Sequence, residues 1–285
     1  MTMRESTSTL TVAMPPPRKR GAAELMVDCR VVAVRNLRVL VRMPQMVLGM
    51  VLQPLMFVLL FSYVFGEALG GDRYREFLIG GIMTQSVAFN AGFTALGVAT
   101  ELNRGIIDRF LLLPMSRLAI VVGRTLSDVA VNVVSLSVMS LTGLAIGWRL
   151  HGSFWSIVGG YLIVLLFGFA MSWVGTVIGL ISASAEAAQS LMASILFPLS
   201  FISSAFVPAQ TLPTPLRIIA NWNPVTSVAQ SLRESFGNPT SVNPLLPEPV
   251  TWASEHAHLY SVLACVVILA VAVPAAALVL NRSQR

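Results

Sequence analysis

Six stretches of this sequence, at about 46–65, 77–99, 118–147, 156–181, 189–206 and 259–280, are strongly apolar and nearly free of charge. A helix crosses about 30 Å of hydrocarbon with roughly 20 apolar residues. A chain with so many such runs can bury its backbone polar groups in lipid only as helices, because every N–H and C=O there must be paired internally. The expected fold class is therefore an all-α integral membrane protein with six transmembrane helices. Composition agrees: 55% of residues are hydrophobic and 11% charged, against roughly 25% charged in a soluble domain.

The net charge of +6 does not mark a nucleic-acid surface. Of the 19 basic residues 18 are arginine, and they lie between the apolar runs, not on one face. Their distribution gives an orientation instead. With alternate segments assigned inside, 14 basic residues fall inside and five outside, which places both termini in the cytoplasm by the positive-inside bias. The two cysteines, Cys29 and Cys265, sit in the N-terminal segment and the last span, so neither a disulfide framework nor a zinc cluster is expected.

Residues 1–21, rich in Ser, Thr and Pro and basic at Arg18, Lys19 and Arg20, read as a disordered cytoplasmic tail. No cleavable signal peptide is expected, since eight basic residues precede Met46 with no apolar core among them. Residues 22–43 place Ala33, Leu37, Leu40 and Val41 opposite Arg35, Arg38 and Arg42, an interfacial helix on the inner leaflet.

Within the second span Gly81, Gln85, Ala88, Gly92, Ala95 and Ala99 recur at steps of four and three, a seam of mostly small residues suited to close helix packing. Gln85 and Asn90 are candidates for contact with cargo, with an interhelical hydrogen bond as the equally natural alternative. In the third run Arg124, Asp128 and Asn132 share a face at intervals of four, and an Arg124–Asp128 ion pair near the inner interface is expected. Trp148 and Trp155 bracket the next link as aromatic anchors. The fourth span carries Gly175 and Gly179 as a small-xxx-small contact. In the fifth, Pro198 predicts a kink, and Ser190, Ser194 and Ser203 could line a path or simply bond the preceding turn. Val225, Val228, Leu232 and Phe236 then repeat at helical spacing beside Arg233 and Glu234, an amphipathic piece. His256 and His258 with Glu255 lack the clustered ligands of a zinc site.

The polar interruption Glu101–Arg117, E-L-N-R-G-I-I-D-R-F-L-L-L-P-M-S-R, joins the second and third runs. Glu101, Arg104, Asp108 and Arg109 alternate with Ile106, Ile107, Phe110 and Leu111, so a helix here has a charged and an apolar side until Pro114 stops it. Held by long helices at both ends, it is a handle on which a soluble partner can push.

The run R-G-I-I-D-R-F-L-L-L-P-M-S-R resembles the first cytoplasmic loop of ABC type-2 permeases, particularly their daunorubicin-resistance branch. A second match, A-F-V-P-A-Q-T-L-P-T-P-L-R-I-I-A-N-W-N-P-V-T from Ala205 to Thr226, is similar to that family's proline-bounded loop and Asn-Pro-Val-Thr ending. The resemblance covers about residues 25–282 and makes 22–285 one transmembrane domain. It implies a short outer helix, Leu216–Trp222, re-entering the membrane between spans five and six. It implies a separate ATPase subunit in two copies, bound through Glu101, Arg104, Gly105, Ile107, Asp108, Arg109, Phe110, Pro114, Ser116 and Arg117, and a second permease copy, identical or not. The branch implies export of a hydrophobic or amphiphilic molecule, such as a drug, natural product or lipid, from the plasma membrane. Polysaccharide export is the alternative within the class, and a proton-coupled secondary transporter using Asp128 the alternative outside it.

The sequence has no G-x-x-x-x-G-K-[ST], H-E-x-x-H, G-x-S-x-G or C-x-x-C. No catalytic residue, metal or cofactor of its own is expected; ATP and Mg belong on the partner ATPase.

Overall fold

The computed structural model describes residues 31, 34–36, 38, 42, 44–66, 71–106, 117–242 and 250–282, and every regular element among them is helical. The first, α1 (Pro44–Leu60), contains Pro54 and continues through a π-helical turn, Phe61–Phe65. After it come α2 (Asp72–Asn103), α3 (Arg117–Ala145), α4 (Phe154–Ile181) and α5 (Ala185–Phe201). Two short helices, α6 (Thr214–Asn221) and α7 (Pro224–Phe236), precede a single turn, α8 (Trp252–Glu255), and the last long helix, α9 (Ala257–Arg282).

Short polar side chains set where the helices begin. Ser153 and Ser184 accept the N–H groups of Ser156 and Ala187 at the starts of α4 and α5, and Asn223 accepts that of Val225 with Pro224 at the first helical position of α7. Each supplies an acceptor to a first-turn N–H that has no partner within its helix.

The 32-residue α2, about 48 Å long at 1.5 Å per residue, is the central post. It packs most extensively on α4 and also meets α1, α3, α5 and α7. The α2–α4 contact is close because a Cβ on Gly175 would overlap the carbonyl oxygen of Ala91, and one on Gly179 that of Ala95. The small seam of the second run is accordingly deep in the molecule: Ala88, Ala95 and Ala99 are fully buried.

Three described helices are long and apolar enough to cross a membrane, Val122–Ala145, Phe154–Ile181 and Ala257–Leu280, with a shorter apolar stretch at Leu52–Val64. Although α2 has the length, Thr84, Gln85, Ser86, Asn90 and Thr94 lie within it and are buried. The apolar side chains of α9, among them Leu259, Val266, Val267 and Val271, point outward. At one end of the bundle Val98, Leu180 and Leu280 share a core cluster, so α2 and α9 finish together there.

Three expectations need revision. Helix α5 stops at Phe201, short of the expected 206, because Pro198 removes a ladder donor and Ile202 leaves helical geometry, its N–H still reaching Pro198 O. Trp148 is a core residue, not an interfacial anchor: it is fully buried, its Nε1–H donates to Asn238 Oδ1 at 2.8 Å, and its ring meets Phe236 edge-on. Trp155, 80% exposed, does have an anchor's position. Finally, the apolar side of α7 is buried as expected, but so is Arg233, at 1% exposure.

Candidate functional site

At the end of α2 shared with α9, Glu101 stands between two arginines. Arg124 of α3 donates to its Oε2 at 3.0 Å, and Arg35 approaches its Oε1 at 3.4 Å. Gly97, one turn before Glu101, makes this possible, since a Cβ there would occupy the position of the Arg124 guanidinium. Helix α2 then closes at Asn103, with Gly105 at φ +64°, a conformation that L side chains rarely adopt. The handle thus begins at a junction that ties α2, α3 and the segment around Arg35 together. Arg104 and Gly105 lie at its start; Ile107, Asp108, Arg109, Phe110, Pro114 and Ser116 lie outside the described residues, and for Arg117 only the helical backbone is described.

The expected Arg124–Asp128 ion pair is not what the structure holds. Arg124 turns toward Glu101, while Asp128 accepts from Thr94 Oγ1 at 2.8 Å. The reason is the opening at Gly97, which gives the guanidinium a partner on α2 in place of the carboxylate one turn along its own helix. A turn further, Asn90 donates to Asn132 Oδ1 at 2.8 Å and to Ser135 Oγ at 3.5 Å. A ladder of polar contacts therefore joins α2 to α3.

The other end of α2 carries the second polar assembly. Between α5 and α6 the backbone is irregular, and side chains from α7 and α2 take up its open carbonyls. Asn223 Nδ2 donates to Leu199 O at 2.7 Å and Ile202 O at 2.6 Å. Arg233 Nη2 donates to Ser204 O at 2.7 Å and Ala205 O at 3.3 Å, and its Nε to Phe77 O at 2.7 Å. Its Cζ lies 3.5 Å from the Phe77 ring centroid. Thr226 Oγ1 accepts from Ser204 N–H, and Tyr74 Oη donates to Phe206 O. In a membrane such irregular backbone is tolerated only where protein satisfies it, and Asn223 and Thr226 of the Asn-Pro-Val-Thr run do so here.

The remaining predicted residues do not form one site. Gln85 and Asn90 line a cleft between α1 and α2. Ser190 and Ser194 are exposed on α5, where Ser194 Oγ donates to Ser190 O at 2.8 Å, and Ser203 is buried with its hydroxyl on Ser200 O. Glu186 is exposed in the first turn of α5, and its own backbone N–H together with Ser184 holds its carboxyl below the usual carboxylate range. His258 meets Glu234 at 3.3 Å and Ser235 at 2.9 Å, while His256 stacks on Trp252.

Sequence reading missed Glu101–Arg124 and Arg233. The first had a signal in Gly97, whose missing side chain faces the arginine. For Arg233 there was none, because its partners are backbone carbonyls.

The comparisons with known proteins agree with this arrangement. The description ABC-2 type transporter matches residues 27–236, ending at the last residue of α7. The daunorubicin resistance ABC transporter permease protein DrrB1 of Streptomyces coeruleorubidus is 33% identical over 193 residues, 67% of this chain and 68% of that protein. With the handle's first residues, the buried α2–α4 seam and the Asn-Pro-Val-Thr clasp all inside the matched region, the chain belongs to the ABC-2 type transporter family of membrane permeases.

Proposed function

We propose that this chain is the transmembrane subunit of an ATP-driven exporter that moves a hydrophobic or amphiphilic molecule, a drug, natural product or lipid, out of the cell. Family membership supports the transport role, and the drug-resistance relative supports the cargo class. Six helices span the plasma membrane after a tail at residues 1–21, both termini are cytoplasmic, and the α6 region re-enters the outer leaflet. The shared end of α2 and α9 and the bias of 14 basic residues against five support that orientation.

Two permeases, identical or similar, work with two copies of a separate ATPase, which holds ATP and Mg. The ATPase seats on residues 101–117, with Arg104, Asp108 and Arg109 in polar contact and Ile107 and Phe110 in a groove. One observation carries the coupling: Glu101 ties the start of this segment to Arg124 of α3 and to Arg35. A push on the handle is therefore delivered to two long helices at once, and closure of the ATPases rocks the spans. Gln85, Asn90, Ser190, Ser194 and Ser203 lie along the cargo path.

The test is pull-down of the tagged chain from native membranes in mild detergent, beside Arg109→Glu. A P-loop ATPase that accompanies the intact chain and is lost from a still-folded variant supports the coupling site. If no ATPase appears in any mild detergent, the exporter reading fails. Proton coupling through Asp128 is then tested with Asp128→Asn, which keeps an acceptor for Thr94 and removes the titrating group: transport that remains pH-dependent excludes a relay there.

A further inference from the structure

Halfway along α1 and α2 the two helices border an open cleft of about 330 Å³, large enough for a small fused-ring molecule. Phe57 on one side and Phe89 and Phe93 on the other give it aromatic walls, and Gln53, Gln85 and Ser86 place polar groups among them. No charged side chain lines it among the described residues.

Two of those polar groups lack partners within the protein. Ser86 is 7% exposed, and its Oγ is buried with no hydrogen bond among the described residues. Gln85 is equally buried, and its amide has no partner among the described residues. Asn90 spends its N–H groups on Asn132 and Ser135, which leaves its side-chain oxygen for the cleft. Burying amides and hydroxyls unpaired is unfavourable, so their convergence beside an aromatic wall is the pattern of a site that a ligand completes.

The walls are also held in place. From Phe57 ring contacts run to Phe206 at 5.8 Å, then from Phe206 to Phe201 at 5.9 Å, on to Phe197 at 6.1 Å and back to Phe89 at 5.3 Å. All lie within the range of favourable aromatic pairs. Phe206 belongs to the irregular segment whose carbonyls Asn223, Arg233 and Tyr74 fix. The aromatic frame is therefore anchored to the rigid part of the molecule, which lowers the ordering cost of binding.

We infer that the α1–α2 cleft binds a neutral, planar aromatic molecule with hydroxyl or carbonyl groups along one edge, its faces against Phe57 and Phe89 and its edge against Gln85 and Ser86. A ring system without polar groups would leave the two buried side chains unpaired, and a permanent ion would find no counter-charge. The export step after binding rests on the exporter reading; binding itself needs neither ATP nor the ATPase.

The experiment uses the full chain in nanodiscs of phosphatidylethanolamine and phosphatidylglycerol. The probes are quinizarin, a neutral dihydroxy-anthraquinone, followed by its fluorescence, and unsubstituted anthraquinone as competitor. Saturable quinizarin binding above that of empty nanodiscs is expected, with anthraquinone competing more weakly. Phe89→Leu weakens both about tenfold, the loss of one stacking face. Because Phe89 also touches Phe197, Gln85→Leu is the second variant: it weakens quinizarin and not anthraquinone, erasing the preference, an effect that mere loosening of the fold does not produce. Quinizarin signal equal to that of empty nanodiscs overturns the proposal, and so does an unchanged preference in monodisperse Gln85→Leu. Binding that responds to Gln85→Leu where no ATPase co-purifies would retain the cleft and remove the exporter reading. ATP-driven export in which quinizarin neither binds nor competes would do the reverse.

Discussion

The two ends of α2 hold their neighbours by opposite means. Near its start, Arg233 is 1% exposed and is held by the carbonyls of Phe77, Ser204 and Ala205 and by the Phe77 ring. Near its finish, Glu101 and Arg124 keep 21% and 17% of their side chains exposed, and Arg35 keeps 34%. The first set is a charge solvated by fixed dipoles, where nothing can move without baring backbone. The second is an ion network at the water's edge, where a lost contact is replaced by solvent at small cost. Arg124 Nε is even left without an acceptor among the described residues. One end is built to stay and the other to be rearranged, as a lever driven from the handle requires.

The largest effect expected is at the clasp. Arg233→Met keeps an apolar stem and removes the donors of Ser204 O and Ala205 O, which should cost about 3 kcal/mol, read as a lower midpoint in denaturant titration of the micelle-bound protein. Arg233→Lys should recover less than half of this, since a single ammonium lacks the guanidinium's planar fork. Neither loss should change with salt. Second is Asn223→Ala, which deprives Leu199 O and Ile202 O of a donor and Val225 N–H of its cap. About 2 kcal/mol is expected in the same titration. A strong salt dependence at either position would erase the contrast between the two ends.

The same contrast explains what could be read in advance. Apolar runs, small-residue seams and Ser or Asn caps are local patterns, so the long helices, the buried Ala88, Ala95 and Ala99 seam and the apolar side of α7 were legible. Pro198 announced a break but not its place, which depends on where Asn223 catches the carbonyls. Arg233 looked like the polar side of an amphipathic helix because a sequence does not show backbone acceptors brought from α2 and the segment after α5. Asp128 and Arg124 looked like a pair because i, i+4 spacing is visible, whereas the passage over Gly97 to Glu101 is a tertiary fact. Gln85 and Asn90 were read as facing either cargo or another helix; Asn90 bonds α3 while both border the cleft.

Gly97→Ala is the third prediction and the sharpest test of the lever. The added methyl occupies the guanidinium's position, so Arg124 must withdraw from Glu101. About 1 kcal/mol of stability should be lost to overpacking, in the same denaturant titration. If the junction carries the push, ATP-driven transport in vesicles should fall well beyond what that loss explains, with ATP hydrolysis by the partner continuing uncoupled. Transport falling only in step with folded protein would make the junction an ordinary packing contact.

The smallest change in stability is expected for Glu101→Gln, which keeps the shape and removes the charge between Arg35 and Arg124. Partly exposed pairs contribute about 0.5 kcal/mol each or less, so the folded protein should barely register it. Salt should register it clearly: raising ionic strength weakens the wild-type junction and has nothing to screen in the variant. The salt dependence of transport should therefore flatten in Glu101→Gln and stay intact in Asn223→Ala, whose lost bonds are neutral. Equal flattening in both would mean that the salt response arises elsewhere, and that the two ends of α2 do not divide holding from moving.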